Sequence, residues 1–131
     1  MIFNEISTVL KNNEISHNIY ETHLSSILIS TKSKPGQFIN ILPSQNFNKV
    51  MRRPMSISYQ GNDKIKIIYK PVGDGTKIMK RWKEGDQVNI IGPLGNSWDY
   101  KEEEDVLLIG GGVGIAPIMN LYNELKNKIK N

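Results

Sequence analysis

The 131-residue sequence contains no cysteine. Disulfides, thiolate nucleophiles and iron–sulfur clusters held by this chain's own sulfurs are therefore excluded. Histidine is almost as scarce. His17 and His23 are the only two, so no metal ligands are assigned, and both are expected as surface or strand residues. Long apolar runs are missing too: none approaches the ~20 residues of a membrane-spanning helix. The opening MIFNEISTVLKNN has neither the basic start nor the apolar stretch of a secretory signal. The expectation is a cytoplasmic protein that does not enter a membrane. Arginine is limited to Arg52, Arg53 and Arg81, and the lysines are dispersed. Without a basic stripe interleaved with aromatics, the net charge of +4 does not make a nucleic-acid surface.

What remains is the composition of a globular domain, with 38% hydrophobic and 23% charged residues. The first hundred residues read as β-rich. ILIS (27–30), QFINIL (37–42), SISY (56–59), KIKIIYK (64–70) and QVNII (87–91) are short strand-like runs. KPG (34–36), QGND (60–63) and KEGD (83–86) separate them as turns. Lysine and isoleucine alternate in KIKII, as in a strand with one wet face. Such spacing suits an antiparallel barrel or sandwich. One short helix is expected, with Thr76 capping its start, Ile78, Met79 and Trp82 facing inward, and Gly85 closing it.

After Gly95 the pattern changes. KEEED (101–105) reads as an exposed connector, and VLLI (106–109) as a strand buried on both faces of a parallel sheet. IAPIMNLYNELKNKIK then places apolar residues at helical spacing, with Pro117 in the first turn. This divides the chain near residue 100, into units 1–100 and 101–131. A single strand and helix cannot complete a parallel sheet, so the second unit is expected to be the start of a truncated domain.

Four stretches carry chemistry. GGGVGIAP (110–117) is a strand-to-helix turn whose bare amides can approach a phosphate. It lacks the lysine of a Walker loop and does not fit G-x-G-x-x-G, because Pro117 holds the third glycine position. MRRPMSIS (51–58) sets the Arg53 guanidinium beside a rigid proline and three residues before the Ser56 hydroxyl. YKPVGDGTKI (69–78) brings Gly75 and Thr76 to a helix start. GPLGNSW (92–98) is a glycine-rich turn leaving the last strand, with Trp98 a packing residue. Each alone also has an ordinary structural reading.

In order, PGQF, RRPMS, a strand ending YK, GDGT, GPLGN and GGGVGIAP resemble the ferredoxin-reductase-like flavoproteins. The RRPxSI and GPLGN forms look most like the electron-transfer subunit of the two-subunit, NAD-linked dihydroorotate dehydrogenases. The resemblance implies a mainly-β fold: an antiparallel FAD-binding barrel followed by the first βα unit of an α/β NAD-binding domain. It implies that Arg53, with Pro54, holds the FAD pyrophosphate, and that Ser56 stands as the catalytic hydroxyl near flavin N5. Met55 takes a position that is aromatic in many relatives. Ile68, Tyr69 and Lys70 would follow the ribityl and phosphate, and Gly75 and Thr76 would complete the cradle. Gly110, Gly111, Gly112, Gly114, Ala116 and Pro117 would receive NAD(P)H. The implied function is electron transfer between NAD(H) and a catalytic oxidoreductase subunit, dihydroorotate dehydrogenase-like, in pyrimidine biosynthesis. Other members serve hydrogenase, sulfide or glutamate synthase partners, and a flavin-binding fragment without NAD turnover is a further reading. Two departures stand out. The family's NAD domain continues through more βα units, and the dihydroorotate subunit carries a cysteine-held [2Fe–2S] centre that this chain cannot ligate.

Overall fold

A computed structural model describes residues 1–46, 51–101 and 105–128. Six antiparallel strands close into a barrel: β1 (Phe3–Ser16), β2 (Ile19–Ser25), β3 (Phe38–Leu42), β4 (Arg53–Gly61), β5 (Lys64–Tyr69) and β6 (Gln87–Leu94). Around the barrel they run β1-β2-β5-β4-β3-β6. The long β1 makes closure possible. Its first half pairs with β6, Phe3 opposite Gly92 through Thr8 opposite Gln87, and its second half pairs with β2. Of the two architectures open to the strand spacing, the barrel is the one formed, and it has no free sheet edge.

The strands obey the two-residue period. In β5, Ile65 and Ile67 are fully buried while Lys64, Lys66 and Ile68 face outward. Inward residues from all six strands, among them Val9, Leu24, Ile39, Ile41, Ile57, Val88 and Ile90, fill the interior. The turns use the residues their geometry demands. Asn62 and Asp63 take φ of 52° and 56° to join β4 and β5, and Gly36 takes 101° before β3. β6 runs on through Gly92, Pro93 and Leu94, so GPLGN is largely strand and only its end is turn.

Strands β1 and β2 escape a reading based on hydrophobic runs because polar residues occupy inward positions. Ser7 and Thr22 are both fully buried. His17 lies exposed in the β1–β2 turn, and His23 sits in β2 against Glu21 at 2.7 Å.

ILIS is a correction. It forms the helix α1 (Leu28–Lys32) rather than a strand. The carboxylate of Glu5 accepts hydrogen bonds from the amides of Leu28 at 3.0 Å and Ile29 at 3.2 Å, and from the Ser26 hydroxyl. An acidic group at the bare amides favours a helical turn. Ile29 then becomes fully buried in the core, while Ile27 and Leu28 remain exposed.

The second helix, α2 (Asp74–Lys80), has Gly73 as its N-cap. Thr76 sits inside the first turn, where its hydroxyl accepts from the amides of Val72 at 2.9 Å and Gly73 at 3.2 Å. Met79 and Trp82 do face the core, whereas Ile78 is only half-buried. Gly85 belongs to the following turn and donates to the Val9 carbonyl at 2.9 Å. The helix is tied to the barrel by Asn12. Its amide donates to the carbonyls of Met79, Lys80 and Trp82 at 2.9, 3.3 and 3.1 Å. These carbonyls lie at and just beyond the C-terminal end of α2.

VLLI is the second correction. Residues 106–109 form no strand, and Leu107 and Ile109 are 84% and 77% exposed. A parallel strand needs a neighbour with an open edge, and the closed barrel offers none. The KEEED connector lies partly outside the described residues; Lys101 and Asp105 are exposed. A 3₁₀ turn (Gly112–Gly114) leads into α3 (Ile115–Lys128), which packs on β4 through Ala116, Asn120, Leu121 and Leu125. Asn120 donates to the Gln60 side chain at 3.0 Å, and Gln60 in turn is bonded to Ser33. Tyr100, Glu124 and Lys128 form a hydrogen-bonded cluster near the far end of the helix. No helix among the described residues is long and apolar enough to cross a membrane.

Candidate cofactor pocket

The pocket forms where β4 begins, β5 ends and α2 starts. It has a volume of about 470 Å³, within the range of roughly 300–1,000 Å³ usual for cofactor sites. Arg53, Pro54, Met55 and Ser56 come from β4, and Ile68 and Tyr69 from β5. Lys70, Val72 and Gly73 follow β5, and Thr76 lies in α2. Val113 and Ala116 close it from the glycine turn and α3. Two cations and no acidic side chain line this space. Its remaining walls are largely apolar, which suits an elongated ligand with anionic and flat apolar parts.

Arg53 is held in place by two local features. Its Nη1 donates to the carbonyl of Met51 at 2.9 Å. Its side chain lies against Gly75, where a Cβ would fall 2.8 Å from Nε and 3.1 Å from Cγ. The glycine of GDGT therefore makes room for the guanidinium, a close approach no other residue type permits.

Other members differ in which atoms they present. The Tyr69 side chain is only 2% exposed, with its ring stacked on Tyr20 and its hydroxyl bonded to Asn12 Oδ1 at 3.1 Å. Burial foremost, partly offset by its bonds to Thr22 and Asn12, pushes its pKa up to about 12. Met55 is half-buried and packs partly against the barrel core. The Thr76 hydroxyl is engaged with the 72–73 segment. Ser56 and Ile68 face outward and half-exposed, and Lys70 is exposed.

Nine of the sequence-derived candidates thus line one pocket: Arg53, Pro54, Met55, Ser56, Ile68, Tyr69, Lys70, Thr76 and Ala116. Gly75 acts behind Arg53 rather than on the surface. Gly110, Gly111, Gly112, Gly114 and Pro117 are absent from the lining, although Val113 between them reaches it. Gly112 takes φ of 55°, and the Gly114 amide donates to the Gly111 carbonyl at 3.0 Å. Val72, Gly73 and Val113 join the lining as well, and their only signal in the sequence is contiguity with YK, GDGT and the glycine turn. Trp98 lies over the turn at Gly36 and remains half-exposed. Among the described residues no group of three His, Asp or Glu could hold a metal ion.

No family model matches the chain. It is 35% identical over 126 residues to the dihydroorotate dehydrogenase B (NAD(+)) electron transfer subunit of Bacillus pumilus (strain SAFR-032), covering 92% of this chain and 49% of that protein. The protein of the same name from Fusobacterium nucleatum is 35% identical over 129 residues, with 95% and 50% covered. The chain spans about half the length of the curated relatives it matches. Among solved structures, the NADH-dependent reduced ferredoxin-NADP oxidoreductase superposes with a TM-score of 0.85 at 29% identity, covering 95% of this chain and 45% of that one. The flavohem-like FAD/NAD binding domain of nitric oxide dioxygenase from Vibrio cholerae has a TM-score of 0.79 at 22% identity, with 94% and 57% covered. That second likeness is one of fold. Over about half their length, the chain is a homologue of the dihydroorotate dehydrogenase B electron transfer subunits, built on the barrel of the ferredoxin-reductase-like flavoproteins.

Proposed function

We propose that the pocket binds FAD and that the chain is an electron-transfer module between NAD(H) and a catalytic oxidoreductase partner, of the dihydroorotate dehydrogenase kind. The observation that carries this reading is the convergence of Arg53, Ser56, Ile68, Lys70 and Thr76 on one cation-bearing, largely apolar pocket. FAD supplies the chemistry of taking up an electron pair with hydride and releasing electrons singly.

The residues present fit such a group. Arg53 would hold the pyrophosphate, with its guanidinium kept in place by the space at Gly75. The free amides of the first turn of α2, at Gly75 and Thr76, would add donors. Lys70 would balance phosphate charge at the rim. Met55 would cover part of the ring through its thioether, while the main chain of Ile68 and Tyr69 would follow the ribityl. The Ser56 hydroxyl would be the donor at flavin N5. Residues 1–100 then form the FAD-binding unit, and residues 101–131 the beginning of the NAD-binding one. The turn from Gly110 to Pro117 would meet the nicotinamide dinucleotide from the side of Val113 and Ala116.

Adding FAD to the chain tests the first half of the proposal. The expected result is saturable uptake with the flavin band near ~450 nm and quenched fluorescence. A chain that takes up no FAD overturns it. Adding NADH tests the second half, with bleaching of that band as the expected outcome. A second reading, flavin binding without NAD turnover, is favoured by the exposure of Leu107 and Ile109 and by the absence of the turn glycines from the pocket lining. It predicts a bound flavin that NADH leaves oxidised.

A further inference from the structure

A second, smaller cavity lies between the outer face of the sheet and α3. Its volume is about 90 Å³, and Glu21, Ser58, Tyr59, Lys66, Ile68, Met119 and Asn123 line it. Ile68 is common to this lining and that of the large pocket. In the sheet, Ile68 pairs with Glu21 and Lys66 with His23, so the cavity wall is a contiguous patch of β2, β5 and β4.

Ser58 is 3% exposed, and its Oγ has no hydrogen-bond partner among the described residues. Buried hydroxyls are ordinarily satisfied by protein or by ordered water. A cavity of about 90 Å³ is large enough to hold ordered water. At its edge Glu21 Oε1 lies 2.7 Å from His23 Nε2, with side chains 26% and 15% exposed. The charged and titratable groups lining the cavity are Glu21 from β2, Lys66 from β5 and the Tyr59 phenol from β4, and His23 contacts Glu21 from outside the lining. The α3 residues, Met119 and Asn123, are neutral.

We infer that this cavity is hydrated and forms a proton path from the large pocket to solvent, running from Ser56 and Ser58 of β4 through bound water to Glu21. The inference rests on the proposed flavin function. With FAD bound, its reoxidation by a one-electron acceptor would release one proton, which this chain's residues would have to pass to solvent. Ser56 and Ser58 are two residues apart on β4, and the register shift between Ile57 and Tyr59 leaves Ser58 beside Tyr59 in the cavity lining. Water can bridge that spacing where a direct hydroxyl contact cannot. Glu21 is the carboxylate placed to accept the proton, and its side chain, more exposed than that of His23, hands it to solvent.

Two measurements test this. In the chain without cofactor, water-to-protein NMR magnetisation transfer at Ser58 and Asn123 is expected in the wild type and lost in Ser58→Val. No transfer at these residues in the wild type overturns the path. In the FAD-loaded, reduced chain, ferricyanide oxidation is followed by flavin absorbance and proton release by a pH indicator. Glu21→Gln is expected to delay the proton behind the electrons by about 100-fold, the lower end of what a positioned proton carrier contributes. Added formate restores the rate, and Glu84→Gln, at an exposed turn, behaves as wild type. Unchanged proton release in Glu21→Gln, or a delay that formate does not relieve, overturns the path. Failure to load FAD overturns the proposed function and the path with it. Loading without the delay overturns the path alone.

Discussion

The guanidinium of Arg53 occupies the space that a side chain at Gly75 would need, since a Cβ there falls 2.8 Å from its Nε. Two motifs separated by more than twenty residues thus make one binding feature. GDGT shapes the place in which RRPMS presents its charge.

That relationship separates binding from folding. Gly75 is the second residue of α2, so Gly75→Ala puts a better helix former in the first turn and is expected to change stability by less than about 1 kcal/mol. The same change displaces the Arg53 side chain and is expected to weaken FAD binding about tenfold or more, the scale of a charge-assisted hydrogen bond. Thermal melts of the apo chain and a fluorescence titration with FAD check the two halves. Tighter or equal FAD binding would remove this role from Gly75.

Arg53→Ala is expected to lower FAD affinity by about 1.5–3 kcal/mol. Because both substitutions act on one guanidinium, the double variant should lose little more than Arg53→Ala alone, the non-additivity of residues in contact. Additive losses in the FAD titration would show that Gly75 acts by another route.

Asn12 joins β1 to the end of α2 and to the Tyr69 hydroxyl. Asn12→Ala leaves helix-end carbonyls and the Thr22 hydroxyl without this partner. A loss of about 1–3 kcal/mol in urea unfolding is expected, larger than that of Tyr69→Phe, which removes one hydroxyl and leaves the Thr22 bond to Asn12 intact.

Tyr69 also makes stability depend on alkaline pH. Its pKa rises from 10.0 to about 12 on folding, chiefly through burial. The unfolded chain therefore releases this proton first, and stability falls as pH rises from the unfolded value through the folded one. Denaturation midpoints are expected to be flat up to about pH 10 and to decline toward pH 12. Tyr100 is raised as well, by burial and by Glu124, so Tyr69→Phe should flatten the decline without abolishing it.

Much of the barrel was readable because alternation reports burial directly. QFINIL, KIKIIYK and QVNII became β3, β5 and β6, with Ile39, Ile41, Ile65, Ile67 and Ile90 inside. The binding segments were readable for a related reason: a proline-fixed arginine and paired glycines have few uses apart from a phosphate or a tight turn. What misled the reading was context. ILIS carries a strand's residues, but the Glu5 carboxylate, over twenty residues earlier, supplies acceptors for a helical turn. VLLI has the composition of a buried strand yet finds no edge on a closed barrel.

By itself, then, the sequence determined the β-rich character of the first hundred residues, the helix after Pro117, and the residue types that suit a dinucleotide cofactor. These rest on local periodicity and on backbone freedom at glycine and proline, which a linear chain already displays. Only the tertiary structure decided that the sheet closes and that Tyr69 turns its ring inward against Tyr20. It also decided that Gly75 serves Arg53, and that an unpaired Ser58 hydroxyl lies beneath α3. Those depend on which distant strands become neighbours, and strand pairing is set by the packing of the whole interior.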